Sequence, residues 1–360
     1  MKFIDINTEY KKFQRDIDQS ISQVLQKSNF ILGSEVKQLE NKLKNFTGSK
    51  YCITTSSGTD GLLLALKSLN LKQNDEIIIP DFAYVSPAEV AAVLNLKIKF
   101  VDVDYETFLI DPKKLKKKIT NKTKVIVVVS LFGQCPNFTE IQKIIKNKNI
   151  ILIEDAAQSF GAKFKNKNSC NIADISVTSF FPTKTLGCFG DGGAVFTNNK
   201  NIFKKITYLR NHGQTNKKYI HNYVGFNARL DTIQAAVLLI KLKKIKKLLK
   251  LRTSKANNYY SKLKNNKKII LPKIKKDNFS SFAQFTIKTK FRNRLIEIFK
   301  KNKIPFSIYY PKILSEQKAY KQKNNNKISK ILSRQAISIP FSPWIAIKDQ
   351  NKVIDTINKL

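Results

Sequence analysis

This 360-residue sequence predicts an α/β fold around a largely parallel sheet, followed by a smaller α+β unit. Three observations carry that prediction. From about residue 50 to 200, short β-rich runs alternate with helical stretches, the pattern of strands joined by helical crossovers. Most of these runs are apolar on both faces, as in strands covered by helices on each side. Beyond residue 230 the alternation gives way to one long helical stretch and then a mixed segment.

In chain order, Ser34-Glu35-Val36-Lys37-Gln38-Leu39 reads as a capped helix start after the turn at Gly33. Seven strands follow: Tyr51–Thr55, Glu76–Ile79, Ile98–Val103, Lys124–Ser130, Ile150–Glu154, Ile175–Phe180 and Ala194–Thr197. A helical stretch then runs from Asp231 to about Lys264, and the Lys/Asn-rich break Asn265–Lys268 separates it from the remainder. The length suggests about two domains. We place residues 1–240 in a large α/β domain with an N-terminal helical segment. Residues 241–360 form a linking helix and a small C-terminal α+β domain.

The formal charge of +40 comes from 66 Lys+Arg against 26 Asp+Glu, and only seven of the basic residues are Arg. Arg is the preferred residue for bidentate phosphate and base contacts. Here Lys, with much Asn and Ile, is spread over loops and helix faces, a pattern that drift toward A/T-rich codons explains. A basic nucleic-acid or membrane-surface binder on a retired enzyme scaffold is the competing reading, and the densest runs, Lys113–Lys118 and Lys241–Lys250, are where it would act. In the second run Leu242, Ile245, Leu248 and Leu249 fall at helical spacing, which predicts an amphipathic helix with a solvated face. The sequence thus favours no nucleic-acid and no membrane partner. The longest apolar run, Ala235–Ile240, is far short of the roughly 20 residues of a membrane span, and a soluble cytoplasmic protein is expected. Four scattered cysteines without C-x-x-C spacing, and two histidines, suggest reduced thiols and no metal site.

Four clusters carry candidate chemistry, all at strand ends or helix starts. Thr54-Thr55-Ser56-Ser57-Gly58-Thr59-Asp60-Gly61 leads from a strand into a helix, either an anion site at a helix N-terminus or a plain capped turn. Asp155 ends an apolar strand ahead of Ala156-Ala157-Gln158-Ser159; it could hold a proton on a heterocyclic nitrogen or simply cap a following helix. In Ser179-Phe180-Phe181-Pro182-Thr183-Lys184-Thr185-Leu186-Gly187 the lysine has apolar company, and desolvation would make its amine a nucleophile toward carbonyls. The glycines after it, G-x-x-G-x-G, have the wrong order and lead into a strand, so they make no dinucleotide fingerprint. Last, Arg210-Asn211-His212-Gly213-Gln214 and Asn227-Ala228-Arg229-Leu230-Asp231 precede a long helix and could reach a neighbouring active site, with capping by Asp231 as the plainer alternative.

Taken together, S-G-T-D, D-A-A-Q-S-F-G-A, S-F-F-P-T-K-T-L-G and N-x-R-L-D-x-x-Q-A-A, in this order and spacing, resemble the pyridoxal-phosphate-dependent sugar aminotransferases of the DegT/DnrJ/EryC1/StrS family. The resemblance covers essentially the whole chain. It implies an aspartate aminotransferase-like fold, pyridoxal phosphate fold type I, assembled as a homodimer with shared active sites. It implies Lys184 as the residue that carries the cofactor and then moves the proton, and Asp155 as the partner of the ring nitrogen. Gln158 would contact the ring oxygen, Tyr84 would stack on the ring, and Gly58, Thr59 and Ser179 would hold the phosphate. Asn227 would reach across from the partner subunit.

Related sugar 3-dehydratases carry His in place of this lysine, so Lys184 implies amino transfer. The runs around Cys135, Cys170 and Cys188 are most similar to the branch acting on UDP-2-acetamido-2-deoxy-3-oxo-glucuronate, with glutamate as donor, in surface polysaccharide and O-antigen sugar biosynthesis. Arg229, His212, Tyr309 and Tyr310 are the implied substrate-binding residues, Arg229 pairing with a uronate carboxylate. A 4-keto or dTDP-linked sugar is the alternative substrate. The substrate loop departs from the family's H-Y-P-x-P-L-H or H-Y-P-x-P-L-N, reading Tyr309-Tyr310-Pro311-Lys312-Ile313-Leu314-Ser315, and Pro87 stands where many relatives have Thr.

Overall fold

The computed structural model describes residues 1–360. Helices α1 (Ile6–Lys27) and α2 (Ser34–Thr47) precede the first sheet strand, β1 (Tyr51–Thr55). There follow α3 (Gly58–Lys67), β2 (Glu76–Pro80), α4 (Ser86–Val93), β3 (Lys97–Val101), α5 (Pro112–Lys118) and β4 (Thr123–Val129). Next come α6 (Phe138–Ile145), β5 (Ile151–Asp155), β6 (Ile175–Ser179), β7 (Gly193–Thr197) and α7 (Lys200–Arg210). The seven strands form one sheet in the order β1-β7-β6-β5-β4-β2-β3. Only β7 runs against its neighbours, pairing antiparallel with β1 and β6.

The doubly buried strands are visible in alternation. Ile77, Ile79, Val125, Val127, Ile153 and Val177 point to the face covered by α3 and α4. Ile78, Val101, Ile126, Val128 and Leu152 point to the opposite face, against Leu115, Phe138 and Ile141 of α5 and α6. With side chains alternating along each strand, both faces are apolar and both are covered.

Helix α8 (Thr232–Leu263) is continuous for 32 residues. Its first half buries Leu238, Leu242 and Ile245 against Val36, Leu39 and Leu43 of α2. Its second half buries Tyr259 and Leu263 in the core of the C-terminal unit. That unit contains the antiparallel pair β8 (Phe285–Lys288) and β9 (Ala336–Ile339) with α9 (Arg292–Lys301), α10 (Lys327–Gln335) and α11 (Ile347–Asn358). A division at 240/241 therefore falls inside one uninterrupted helix. The segment 309–336 also packs on the large sheet unit, with Ile313, Leu314 and Leu332 in the same cluster as Phe82 and Phe108.

The lysine run Lys241–Lys250 has the expected solvated face, with Lys243, Lys244, Lys246, Lys247 and Lys250 exposed and the four apolar residues buried. Lys241 is the exception: it is buried and paired with Glu9 at 2.5 Å. All four cysteines are free and buried. No helix is long and apolar enough to cross a membrane.

Candidate active site

The C-terminal ends of β4 and β5, the start of α3 and the loop after β6 converge on a cavity of about 280 Å³, the crevice position expected for a ligand in such a sheet. Its lining includes Ser57, Gly58, Thr59, Tyr84, Asp155, Gln158, Ser179, Lys184, Tyr309 and Tyr310.

On one side stands the N-terminus of α3. Ser57 caps it, its Oγ accepting the Asp60 N–H at 3.0 Å. The amides of Gly58 and Thr59 occupy the first helical positions and have no intrahelical acceptor, so they and the helix dipole favour an anion. Thr59 Oγ1 is 2.7 Å from Ser86 Oγ, which also lines the cavity. Gly58 cannot be replaced without movement, because a Cβ there would lie 2.9 Å from Ser179 Cβ. That close approach brings the β6 end against the helix start. Pro87 sits in the first turn of α4, where its missing N–H costs nothing.

On the other side are Lys184 and Asp155. The lysine lies on a tight loop whose flanks, Phe180, Leu186 and Cys188, are buried in the core beneath α8. Its backbone N–H donates to the Phe181 carbonyl at 2.8 Å. Burial lowers the pKa of the Lys184 ammonium, opposed by the Asp155 carboxylate beside it. Asp155 is buried at the end of β5, and burial raises its carboxyl above the usual range. The Ala157 N–H, donating to Oδ1 at 3.1 Å, and Lys184 oppose that rise. No helix follows Asp155; residues 157–161 form turns, so it does not cap a helix.

The neighbouring Glu154 points to the opposite side of the strand. There it is fully buried and accepts from Ser130 Oγ, Ser169 Oγ, the Cys170 N–H and Ser176 Oγ. Gln158 is held at both ends: its Oε1 accepts the Phe132 N–H at 2.8 Å and its Nε2 donates to the Tyr310 hydroxyl at 3.2 Å.

Three expected site residues lie outside this cavity. Asn227 is exposed and bridges to Asn211. Arg229 donates from Nη1 to Asn211 Oδ1 at 3.0 Å, with its Nε buried and unpartnered. His212 is exposed, with a backbone φ of 57°. Asp231 occupies the N-cap of α8, but its side chain makes no capping bond.

The lining also contains three residues to which the sequence assigns no role, Thr183, Asp191 and Gln284. Gln284 comes from the C-terminal unit, and its Oε1 is buried with no partner. Its neighbourhood is set by Gly133, whose φ of +98° lets the backbone at Phe282 come so close that a Cβ on the glycine would lie 2.7 Å from the Phe282 nitrogen. No local pattern marks Gln284; only the pairing of two distant segments brings it here.

The DegT/DnrJ/EryC1/StrS aminotransferase family model matches residues 11–358. The chain is 40% identical over 346 residues to the UDP-2-acetamido-2-deoxy-3-oxo-D-glucuronate aminotransferase of Pseudomonas aeruginosa, covering 96% of each chain. It superposes with a TM-score of 0.97 and 33% identity on a DegT DnrJ EryC1 StrS aminotransferase from Brucella abortus, covering 100% of this chain and 99% of that one. It is also similar, with a TM-score of 0.90 and 28% identity, to NtdA of Bacillus subtilis with bound cofactor PMP, covering 99% of this chain and 83% of that one.

The cavity fits a cofactor of that kind. Free amides at a helix start suit a phosphate, a buried carboxylate suits a ring nitrogen, and an amine with lowered pKa suits a carbonyl carbon.

Proposed function

Because the chain belongs to the DegT/DnrJ/EryC1/StrS aminotransferase family, we propose that it is a pyridoxal-phosphate-dependent nucleotide-sugar aminotransferase. We propose that it moves an amino group from glutamate to the 3-keto carbon of a UDP-linked 2-acetamido uronate, for surface polysaccharide. The observation that carries the reading is the placement of Lys184 and Asp155 in one cavity with the open N-terminus of α3.

When bound, pyridoxal phosphate supplies an electron sink for the charge left when a proton leaves the carbon bearing nitrogen. Gly58, Thr59 and Ser179 bind its phosphate through the free helix amides and a hydroxyl. Asp155, buried at the end of β5, would hold a proton on the ring nitrogen. Lys184 would move a proton as general base and acid. Burial lowers its pKa, which favours the amine over the ammonium, opposed by Asp155. Gln158 orients the ring oxygen from a position fixed by Phe132 and Tyr310. Tyr84, half-exposed at the mouth, stacks on the ring.

Asn227 and Arg229 serve the site of a second copy. Their location outside this chain's own cavity supports that reading, as do the exposed Phe30, Ile31 and Leu32 against the start of α8. Arg229, with guanidinium donors to spare, pairs with the uronate carboxylate.

The test is a purified protein loaded with pyridoxal phosphate and offered glutamate with a panel of UDP- and dTDP-linked 3-keto and 4-keto sugars. Turnover is expected with the UDP 3-keto uronate, along with an absorbance band of the lysine-bound cofactor that Lys184→Ala removes. A protein that takes up no cofactor, or aminates none of the panel, would overturn the reading.

A further inference from the structure

Asp81, at the end of β2, is completely buried, yet no basic side chain pairs with it. Its carboxylate instead gathers four donors from one stretch of the C-terminal unit. The Ser315 N–H donates to Oδ1 at 2.8 Å, and the Ser315 hydroxyl to Oδ2 at 2.7 Å. Asn326 and Asn324 donate to Oδ2 from their Nδ2 atoms at 2.8 and 3.1 Å. The Asp81 carbonyl also accepts the Leu314 N–H at 3.0 Å.

A charge buried without a counter-charge is tolerated only where hydrogen bonds replace its hydration. The position of the 314–326 stretch is therefore demanded by Asp81. Burial still pushes the Asp81 carboxyl upward, so the donors offset the desolvation only in part.

The same stretch carries Tyr309 and Tyr310 into the cavity just upstream, and Asp81 is next to the residues that meet them. The Phe82 ring lies 6.0 Å from that of Tyr310, edge to face, and the Tyr84 ring 6.2 Å away. A second carboxylate fastens the following stretch: Asp102 accepts from the Ser329 N–H and hydroxyl at 2.8 and 2.7 Å and from the Ile328 N–H at 3.1 Å. Asp102 thereby caps α10 from outside, leaving Asp81 as the anchor nearest the cavity. Ser315, a departure from the family loop, is short enough to present its N–H and O–H to one carboxylate.

We propose that Asp81 is a positioning residue for the substrate end of the cavity: through Ser315 it sets where Tyr309 and Tyr310 stand, and hence which keto sugars are accepted. The proposal rests on the reading of the cavity as a nucleotide-sugar site.

The experiment uses full-length holoenzyme carrying Asp81→Asn or Ser315→Ala, with amide hydrogen exchange over residues 309–326, cofactor affinity, and KM and kcat for the keto sugar. In both variants exchange over 314–326 is expected to quicken about tenfold, and KM for the sugar to rise about tenfold with kcat nearly constant, while cofactor affinity holds. Ser315→Thr, which keeps the hydroxyl, should restore both. Unchanged exchange would remove the anchor. Faster exchange with unchanged KM would reduce it to a structural strap, and lost cofactor affinity would move its role to the other end of the cavity; each overturns the proposal. If Asp81→Asn does not fold, Ser315→Ala decides alone. If the native enzyme aminates no sugar, the proposed function falls; exchange together with calorimetric affinity for UDP-sugars then decides the anchor.

Discussion

The Gln158 side chain donates to the Tyr310 hydroxyl at 3.2 Å, joining the strand end that carries Asp155 to a loop 152 residues further along the chain. Removing the hydroxyl with Tyr310→Phe leaves a buried amide N–H without its partner. A stability loss of about 1–3 kcal/mol is expected, measured by denaturant unfolding, while affinity for pyridoxal phosphate holds because the Phe132 N–H still fixes Gln158 Oε1. Unfolding like the native protein's would show that the contact does not hold Gln158.

Lys184→Ala should lower amino transfer by about 10² to 10⁴, the usual scale of a lost general acid–base group, without changing the fold seen by circular dichroism. Lys184→Arg should not rescue it, since a guanidinium stays protonated. Single-turnover kinetics with preloaded cofactor separate this loss from simple failure to bind.

Arg210 ends α7 and points back to β1, donating from Nη1 to Glu40 at 2.5 Å and to the Thr54 carbonyl at 3.0 Å. Breaking such a largely buried pair from one side typically costs about 3–5 kcal/mol. Arg210→Met should destabilise on that scale, whereas Arg210→Lys, which keeps a positive charge toward Glu40, should lose less, since Glu40 also accepts from the Thr54 N–H and hydroxyl and has to stay. Urea unfolding of the two variants tests this, and equal losses in both would refute it.

Lys288 is buried in β8, over the Tyr105 ring at 4.4 Å and the Phe108 ring at 4.9 Å, and donates to the Glu106 carbonyl at 3.1 Å. Burial pulls its pKa down from 10.5 to about 8, while Asp104 and Glu106 pull the other way. The unfolded chain keeps this proton up to its ordinary pKa, whereas the folded one releases it from about pH 8. Between those two values the unfolded state binds more protons, so this residue's contribution to stability rises with pH. Below pH 8 the full burial penalty applies. The unfolding free energy of the native protein should therefore gain on that of Lys288→Met between pH 8 and 10. A constant difference across that range would contradict the assignment.

Much of the sheet was legible because burial on both faces writes itself into sequence as unbroken β-branched runs. All seven expected strands occur within a residue or two of their limits. The meeting of Lys184, Asp155 and the Ser57–Thr59 turn in one cavity was legible for a related reason: Asp155 ends a strand, Lys184 lies in the loop just after one, the turn starts a helix, and each has polar chemistry in apolar company. Gln284 and the Asp81–Ser315 contact left no such trace. Their meaning lies in pairings across 234 residues or in the approach of two units, which no local spacing records. In sequence Ser315 shows only as a departure from the family loop, because the carboxylate that uses it is far away along the chain. Lys241 was misplaced on the solvated face for the same reason, since Glu9 sits on another helix.

Helix α8 spans both units as a single rod about 48 Å long at 1.5 Å per residue. Its hydrogen-bonded interior offers no pivot, so the two units cannot fold toward each other like hinged shells around a substrate. Adjustment to different sugars must come from the linkers beside the rod and the strap that Asp81 and Asp102 fasten. Such an enzyme works as a rigid vessel with an exchangeable rim: new substrate ranges arise by rewriting a few loop contacts, while the frame that aligns lysine, aspartate and phosphate stays in place.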